Sequence, residues 1–462
     1  MRSAMKEQTK TYDMGSGSVP KLLARLAIPA VVAQVINLLY NIIDRIYIGH
    51  IPEIGASALT GVGLFMAILM LLNAFAMLAG SGGAPLAAIA MGQKDNEKAE
   101  KIMGNCFSLL IIFSVILTIV FYLFAPDMLL FFGASHVTLP FAVDYARVYI
   151  GGCVFVLIVL GMNPFITTQG FAKISMLTTV IGAIINIILD PIFIFAFDMG
   201  VKGAALATVL SQAVGAVWVL YFLAGRKSVI RLRLRNMKLI PKIFGPCLGL
   251  GVSTFVMLST ESLLSVSFTS SLAKYGGDLA VGAMTILTSV ASLVMMPLQG
   301  ICQGGQPIIS YNYGAGKYER VKKAFYTQFI VCIIYAVTFW AVSMLFPSAF
   351  AQIFTDDSEL VEYASWALRI YMAGIFAFGF QCSCQQSFMA LGQAKISLIM
   401  ACLRKIVLLI PLIYILPMFM ERKALAVFMA EPVSDIVAAL VTTIAFFVTF
   451  KKLMKEKKNA DI

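Results

Sequence analysis

Charge is what this chain has least of. Asp, Glu, Lys and Arg make up 13% of its 462 residues, against roughly 25% in a water-soluble domain. Hydrophobic residues reach 60% and the mean hydropathy is +0.90, so a pair of soluble domains is excluded. Histidine is nearly absent: His50 and His136 both lie near loops, which argues against a transition-metal site. The eight cysteines form no CxxC pair, and Cys382-Ser-Cys384 has the wrong spacing for a common zinc or redox motif. They read as small buried hydrophobes. No GxSxG nucleophile motif and no histidine cluster is found, so a membrane-embedded enzyme is not expected. No cleavable signal peptide is evident, because the first apolar stretch is too long for one and lacks a small-residue cleavage site.

What is present is a series of long apolar runs. A stretch of about 20 such residues crosses a bilayer, and twelve are found, near 22–48, 54–79, 102–125, 142–166, 172–197, 202–224, 242–271, 279–303, 324–346, 362–388, 396–418 and 425–450. The formal net charge of +12 does not point to nucleic acid, because 26 of the 35 Lys and Arg residues fall on alternate loops of one side. Only Lys202, Lys274, Arg422 and Lys423 sit on the other. Positive loops stay cytoplasmic, which predicts a multi-pass protein of the cell membrane with both termini inside. The basic segment from Arg226 to Arg235 reads as a topology anchor and linker.

The chain also repeats itself. Ala-Lys-Ile-Ser occurs at 172–175 and again at 394–397, an offset of 222. In the same register Pro85 matches Pro307, Gly92 matches Gly314, Arg147 matches Arg369, Tyr149 matches Tyr371 and Gly170 matches Gly392. Six spans per copy give both halves the same orientation, related by an axis along the membrane normal. The predicted fold is an all-α membrane protein of twelve helices in two homologous six-helix lobes. The divisions are 1–225, a linker at 226–241, 242–450 and a tail at 451–462.

Against this apolar background three acids stand out: Asp44 in span one, Asp190 in span five and Glu261 in span seven. An intramembrane acid is costly and marks a relay, ion site or ligand site by default. With a rise of roughly 1.5 Å per residue, Asp44 lies about 8 Å below the end of its span near Gly49, and Asp190 and Thr208 lie at similar depth. Asn186 and Asp190, four apart, share one helical face. Carboxylate, amide and hydroxyl oxygens suit a hard cation such as Na⁺. Two neighbouring acids that cannot both ionise easily suit a proton carrier equally.

These features, with Pro29 and Asp44 in span one, Asn186-x-x-x-Asp190-Pro191, Gly170-x-Ala172-Lys173 and the run Pro297-Leu-Gln-Gly-Ile-Cys-Gln303-Gly-Gly-Gln306-Pro307…Asn312-Tyr-Gly314-Ala315, resemble the multidrug and toxic compound extrusion (MATE) transporters, and the Gram-positive-type drug exporters among them. The resemblance covers nearly the whole chain. It implies a secondary multidrug antiporter, with no cofactor, that exports organic cations in exchange for H⁺ or Na⁺ by rocker-switch alternating access, as a monomer. It implies a first-lobe cation site at Asp44, Asn186, Asp190 and Thr208, with Tyr40, Tyr145 and Asn163 as neighbours. Glu261 fits a second-lobe acid facing the cleft. Where some members carry an acid on span ten, this chain reads Gln381-Cys-Ser-Cys-Gln385-Gln386, so that kind of second-lobe sodium site is not expected. A lipid or lipid-linked oligosaccharide flippase of the same superfamily is the alternative, kept open by Arg147, Arg369, Arg404 and Lys405.

Overall fold

The computed structural model describes residues 14–460, and every regular element among them is helical. Span one is Val19–Gly49, span two Gly55–Gly92 and span three Asn96–Phe131. Span four is broken: Leu139–Gly151 and Cys153–Thr168 meet at 59°. Span five, Ala172–Pro191, ends in a π-helical turn, Ile192–Ala196, and span six is Gly200–Ala224. Span nine is Tyr318–Leu345, and span ten joins Ser358–Tyr371 to Ile375–Ala390. Span eleven runs from Ala394–Cys402 through π-helical Leu403–Leu409 to Ile410–Phe419, and span twelve is Lys423–Ala460.

Spans seven and eight form one helical stretch, Pro241–Gly314, of 74 residues. At 1.5 Å per residue it would extend roughly 111 Å, several times the thickness of a bilayer core. Gly277, at φ 64° and ψ −163°, breaks it. A Cβ on Gly251 would sit 1.9 Å from Leu78 O, and one on Gly314 would sit 2.0 Å from Ile89 O. Both ends of the stretch therefore meet the same end of span two, and the chain turns back at Gly277. This gives the twelve spans expected. Span two ends 13 residues past its apolar run and span eight 11 past its own, and these two ends pack on one another, while span three extends 6 residues at each end.

The repeat is visible in the backbone. The break in span four falls at Gly152, and that in span ten falls at Gly374, its mate at the offset of 222. A Cβ at Gly152 would lie 2.3 Å from Val209 of span six, and one at Gly374 would lie 2.7 Å from Pro432 of span twelve. Each lobe thus bends its fourth helix where it crosses its sixth. The left-handed residues Lys94 (φ 63°) and Gly316 (φ 70°) are likewise mates, as are Gly170 (φ 88°) and Gly392 (φ 71°).

Each lobe has its own apolar core, with Phe65, Met103, Leu110 and Phe165 in the first and Leu287, Met372 and Phe428 in the second. A third cluster lies at the end of the bundle that carries the basic loops. There Leu22, Leu23 and Leu26 of span one are buried with Ile308, Phe325, Phe388 and Phe446 of the second lobe. Helices approach closely at this basic end because the contact residues are glycines. A Cβ on Gly92 would meet Tyr311 O at 2.0 Å while one on Gly314 would meet Ile89 O at 2.0 Å. Those are two pairs of repeat mates in reciprocal contact, so the pseudo-twofold axis passes between spans two and eight. Gly82 packs on Cys247 of span seven, and its mate Gly304 packs on Ala27 of span one. The glycines of the Pro297–Ala315 run are therefore the floor of the interlobe seam. Toward the other end Leu59, Thr60, Gly63 and Met70 of span two and Glu261, Leu263 and Ser265 of span seven are exposed. The lobes are closed on one another at the basic end, and spans two and seven still meet at Met70 and Ser262.

The segment between the lobes is not slack. Gln169 Oε1 accepts from Ser228 Oγ (2.8 Å), Val229 N (2.7 Å) and Ile230 N (3.1 Å). Glu100 accepts from Arg231 N (3.0 Å) and Asn236 Nδ2 (3.2 Å), and Arg233 reaches it at 3.4 Å. Ile240 N donates to Asn105 Oδ1 at 2.7 Å. All three acceptors belong to the first lobe.

Candidate functional site

Span one packs along span five, which sets Asp44 beside Asp190. The one-turn spacing of Asn186 and Asp190 puts both on the face that also meets span six, and the tight turn at Asp198 (φ 52°) and Gly200 (φ 54°) returns the chain so that Thr208 arrives at their level. Asn186 Nδ2 donates to Asp190 Oδ1 at 3.1 Å and to Thr208 Oγ1 at 3.3 Å, and Thr208 Oγ1 donates to Ala204 O at 3.1 Å. The carboxyl groups of Asp44 and Asp190 are within hydrogen-bonding reach of one another. All four side chains are buried: Asp44 and Thr208 are 6% exposed, Asn186 and Asp190 0%.

Asp44 Oδ1, Asn186 Oδ1 and Asp190 Oδ2 are buried with no hydrogen-bond partner. A buried acceptor left unpaired is costly, and three in one site are a ready set of ligands for a small cation. Two neighbouring carboxyls can also share one proton in a strong hydrogen bond. The residues fit either ion. They do not fit a transition metal: among the described residues no group of three His, Cys, Asp or Glu is placed to hold one.

Tyr40 and Tyr145 join this site. Tyr40 lies within electrostatic reach of both aspartates, and Tyr145 is within hydrogen-bonding reach of Thr208. Tyr145 stacks on Tyr149 with centroids 6.0 Å apart, and both pack on Phe65. Tyr149, which the sequence offered only as a repeat match, is thereby a wall of the site. Asn163 is not joined to the acids: its Nδ2 donates to Ser175 O (3.2 Å), and its Oδ1 accepts from Thr178 Oγ1 (3.4 Å). A cavity of about 350 Å³ between spans one, eight and nine is lined by carbon from Leu23, Ala27, Val31 and Ile301 and lies apart from the acids.

Glu261, expected as a second-lobe acid facing the cleft, has a basic partner that the sequence did not reveal. It forms an ion pair with Lys405 of span eleven, and Lys405 Nζ also donates to Met257 O at 3.0 Å. Two further intramembrane acids escaped the sequence reading, Glu431 and Asp435 of span twelve. Arg404 donates to Asp435 through Nε at 2.8 Å and to Glu431 through Nη2 at 3.3 Å, and its guanidinium lies 4.7 Å from the Phe378 ring centroid. The spacing Glu431-x-x-x-Asp435, following two adjacent bases one span earlier, was the available signal. Arg404 and Lys405 had kept an anionic-headgroup flippase open; both are committed to carboxylates. The lobes have also diverged in place. At the offset of 222, Asn186 and Asp190 correspond to Leu408 and Leu412, and Glu431 and Asp435 to Val209 and Ala213.

A repeated six-helix lobe with a buried acid pair in a cleft-forming bundle defines a transport protein of parallel-repeat type. The chain belongs to the MatE family, which it matches over residues 29–192 and again over 253–415, one match per lobe. It is 25% identical to the multidrug export protein MepA of Staphylococcus aureus strain N315 over 418 residues, covering 89% of this chain and 90% of that one. Solved relatives are as similar. The outward-facing conformation of a multidrug resistance MATE family transporter superposes with a TM-score of 0.89 at 25% identity, over 97% of this chain and 99% of that one. A MATE transporter in the bent conformation gives 0.90 at 25% identity with the same coverage.

Proposed function

We propose that this chain exports organic cations across the cell membrane in exchange for H⁺ or Na⁺, with its basic end cytoplasmic. The observation that carries the reading is the buried Asp44–Asp190 pair, which with Asn186 presents three unpartnered oxygens. A site of this kind gains most from taking up one small cation and is costly to keep empty and ionised. The MATE resemblance and the export function named for MepA support the direction of transport.

Asp44, Asn186, Asp190 and Thr208 bind the exchanged ion; Tyr40 and Tyr145 orient the aspartates and shield them. The closed glycine seam excludes the cytoplasm, and ions enter and cargo leaves at the opposite end. Rocking one lobe against the other about the seam reverses access. Coupling follows if ion and cargo favour different arrangements of the first lobe, because a ligand shifts an equilibrium only through its different affinity for two states. The deciding measurement is ethidium transport by proteoliposomes under an imposed proton gradient and then under an imposed sodium gradient. Uptake driven by neither ion would refute antiport, and the driving ion names the coupling partner.

A further inference from the structure

The second lobe holds a five-member charge cluster drawn from three spans. Arg404 (4% exposed), Lys405 (7%), Glu431 (6%) and Asp435 (1%) are buried, whereas the side chain of Glu261 is 50% exposed. Hydrocarbon cannot solvate that carboxylate, so its open side faces water. Its neighbour Ser262 reaches Met70 of the first lobe at 3.8 Å, so this stretch of span seven borders the first lobe. Tyr371 of span ten also lies within electrostatic reach of the cluster's acids and of Arg404.

By formal count three acids face two bases: Lys405 sits on Glu261, and Arg404 is shared between Glu431 and Asp435. Lys405 is also within electrostatic reach of Glu431 and Asp435. Its stem is flexible, and it projects from the π-helical turn Leu403–Leu409. Lys405 thus sits on Glu261, with the two carboxyls that hold Arg404 as its other acidic neighbours.

We infer that Lys405 is a tethered competitor for cationic cargo: its ammonium occupies Glu261 until a monovalent organic cation displaces it toward Glu431 and Asp435. With cargo on Glu261, two bases then face two acids, and the whole cluster is neutral. Cargo charge is read by this balance. A monocation completes it, whereas a neutral compound cannot replace the ammonium and gains nothing from Glu261. The inference rests on the export reading above and names the residue that sets its preference for charge.

The test is equilibrium binding of tetraphenylphosphonium to the purified full-length protein. K405M removes the competitor and should tighten binding by about tenfold, within the usual range of coupling between two ligands. K405R should stay near wild type, E261Q should weaken binding about tenfold, and E261Q/K405M should bind no more tightly than E261Q. E431Q removes one of the acids beside Arg404 and should weaken binding with Glu261 intact; it decides the matter if K405M does not fold. Unchanged or weaker binding by a K405M protein that keeps the wild-type melting temperature would overturn the inference, as would unaltered binding by E431Q. Wild type that neither binds nor transports the probe defeats the export reading as well. Wild type that does both, with indifferent variants, defeats this inference alone.

Discussion

Asp44 and Asp190 face each other inside the first lobe, and Asn186 ties one of them to Thr208. The neutral isostere in Asp44→Asn keeps size and hydrogen bonding but carries no exchangeable charge. Energised ethidium efflux should fall to background while the protein inserts and melts normally; a wild-type gradient in that variant would make Asp44 structural. Asn186→Ala acts differently, since it strips a donor from both Asp190 and Thr208. Unpaired buried groups cost about 1–3 kcal/mol, so a lower melting temperature is expected, restored in part by Asn186→Gln. The two aspartates were legible in the sequence because a charge in an apolar run contradicts its surroundings. The state of Glu261 was not, because its partner Lys405 is 144 residues away. Counting along span four already sets Asn163 deeper than the acids, and it bonds to Ser175 and Thr178 instead.

At the level of helices, hydropathy located twelve spans but not their true ends or breaks. The breaks in spans four and ten and the turn between spans seven and eight are set by single glycines, and nothing in a hydropathy window distinguishes Gly277 from its neighbour Gly276. The reciprocal contact of Gly92 and Gly314 was anticipated only as a repeat match, since packing depends on what lies opposite. It gives a direct prediction. Gly92→Val would force side-chain carbon into Tyr311 O, a collision worth about 1–3 kcal/mol or more. The seam-closed state should lose population, and spin labels on the loops at 94 and 316 should report a longer distance than in wild type. An unchanged distance distribution would remove the seam from the account of gating.

For the whole molecule, closure at the basic end involves more than packing. Arg320 donates to Gly17 O (2.8 Å), Ser16 O (2.9 Å) and Met14 O (3.2 Å), and Lys317 Nζ donates to Gly15 O (2.8 Å). The start of the first lobe is thereby latched to the turn between spans eight and nine of the second. Arg320→Ala should weaken this latch and favour access from the basic end, read as faster labelling of a cysteine placed at Ala27. Ion exchange predicts a second outcome at this scale: lower external pH, or higher external sodium if that is the ion, should release a labelled cation from protein open at the far end. Binding unaltered by either ion would leave the two lobes without thermodynamic coupling.

The strap from Ser228 to Ile240 has a mechanical consequence. Because Gln169, Glu100 and Asn105 hold it along its length, whatever rotation the lobes undergo cannot be absorbed by it. The sequence supplies the joint at its far end, where Ile240 is bonded to the first lobe and Pro241 already begins span seven. The two halves are connected as a door is to its frame, by a pin a residue or two long, and not as two boats by a rope. A door hung in this way swings along one arc. Lengthening the chain between 240 and 241 by a few glycines would turn the pin into a rope, and transport should lose its tight exchange ratio before either half loses its shape.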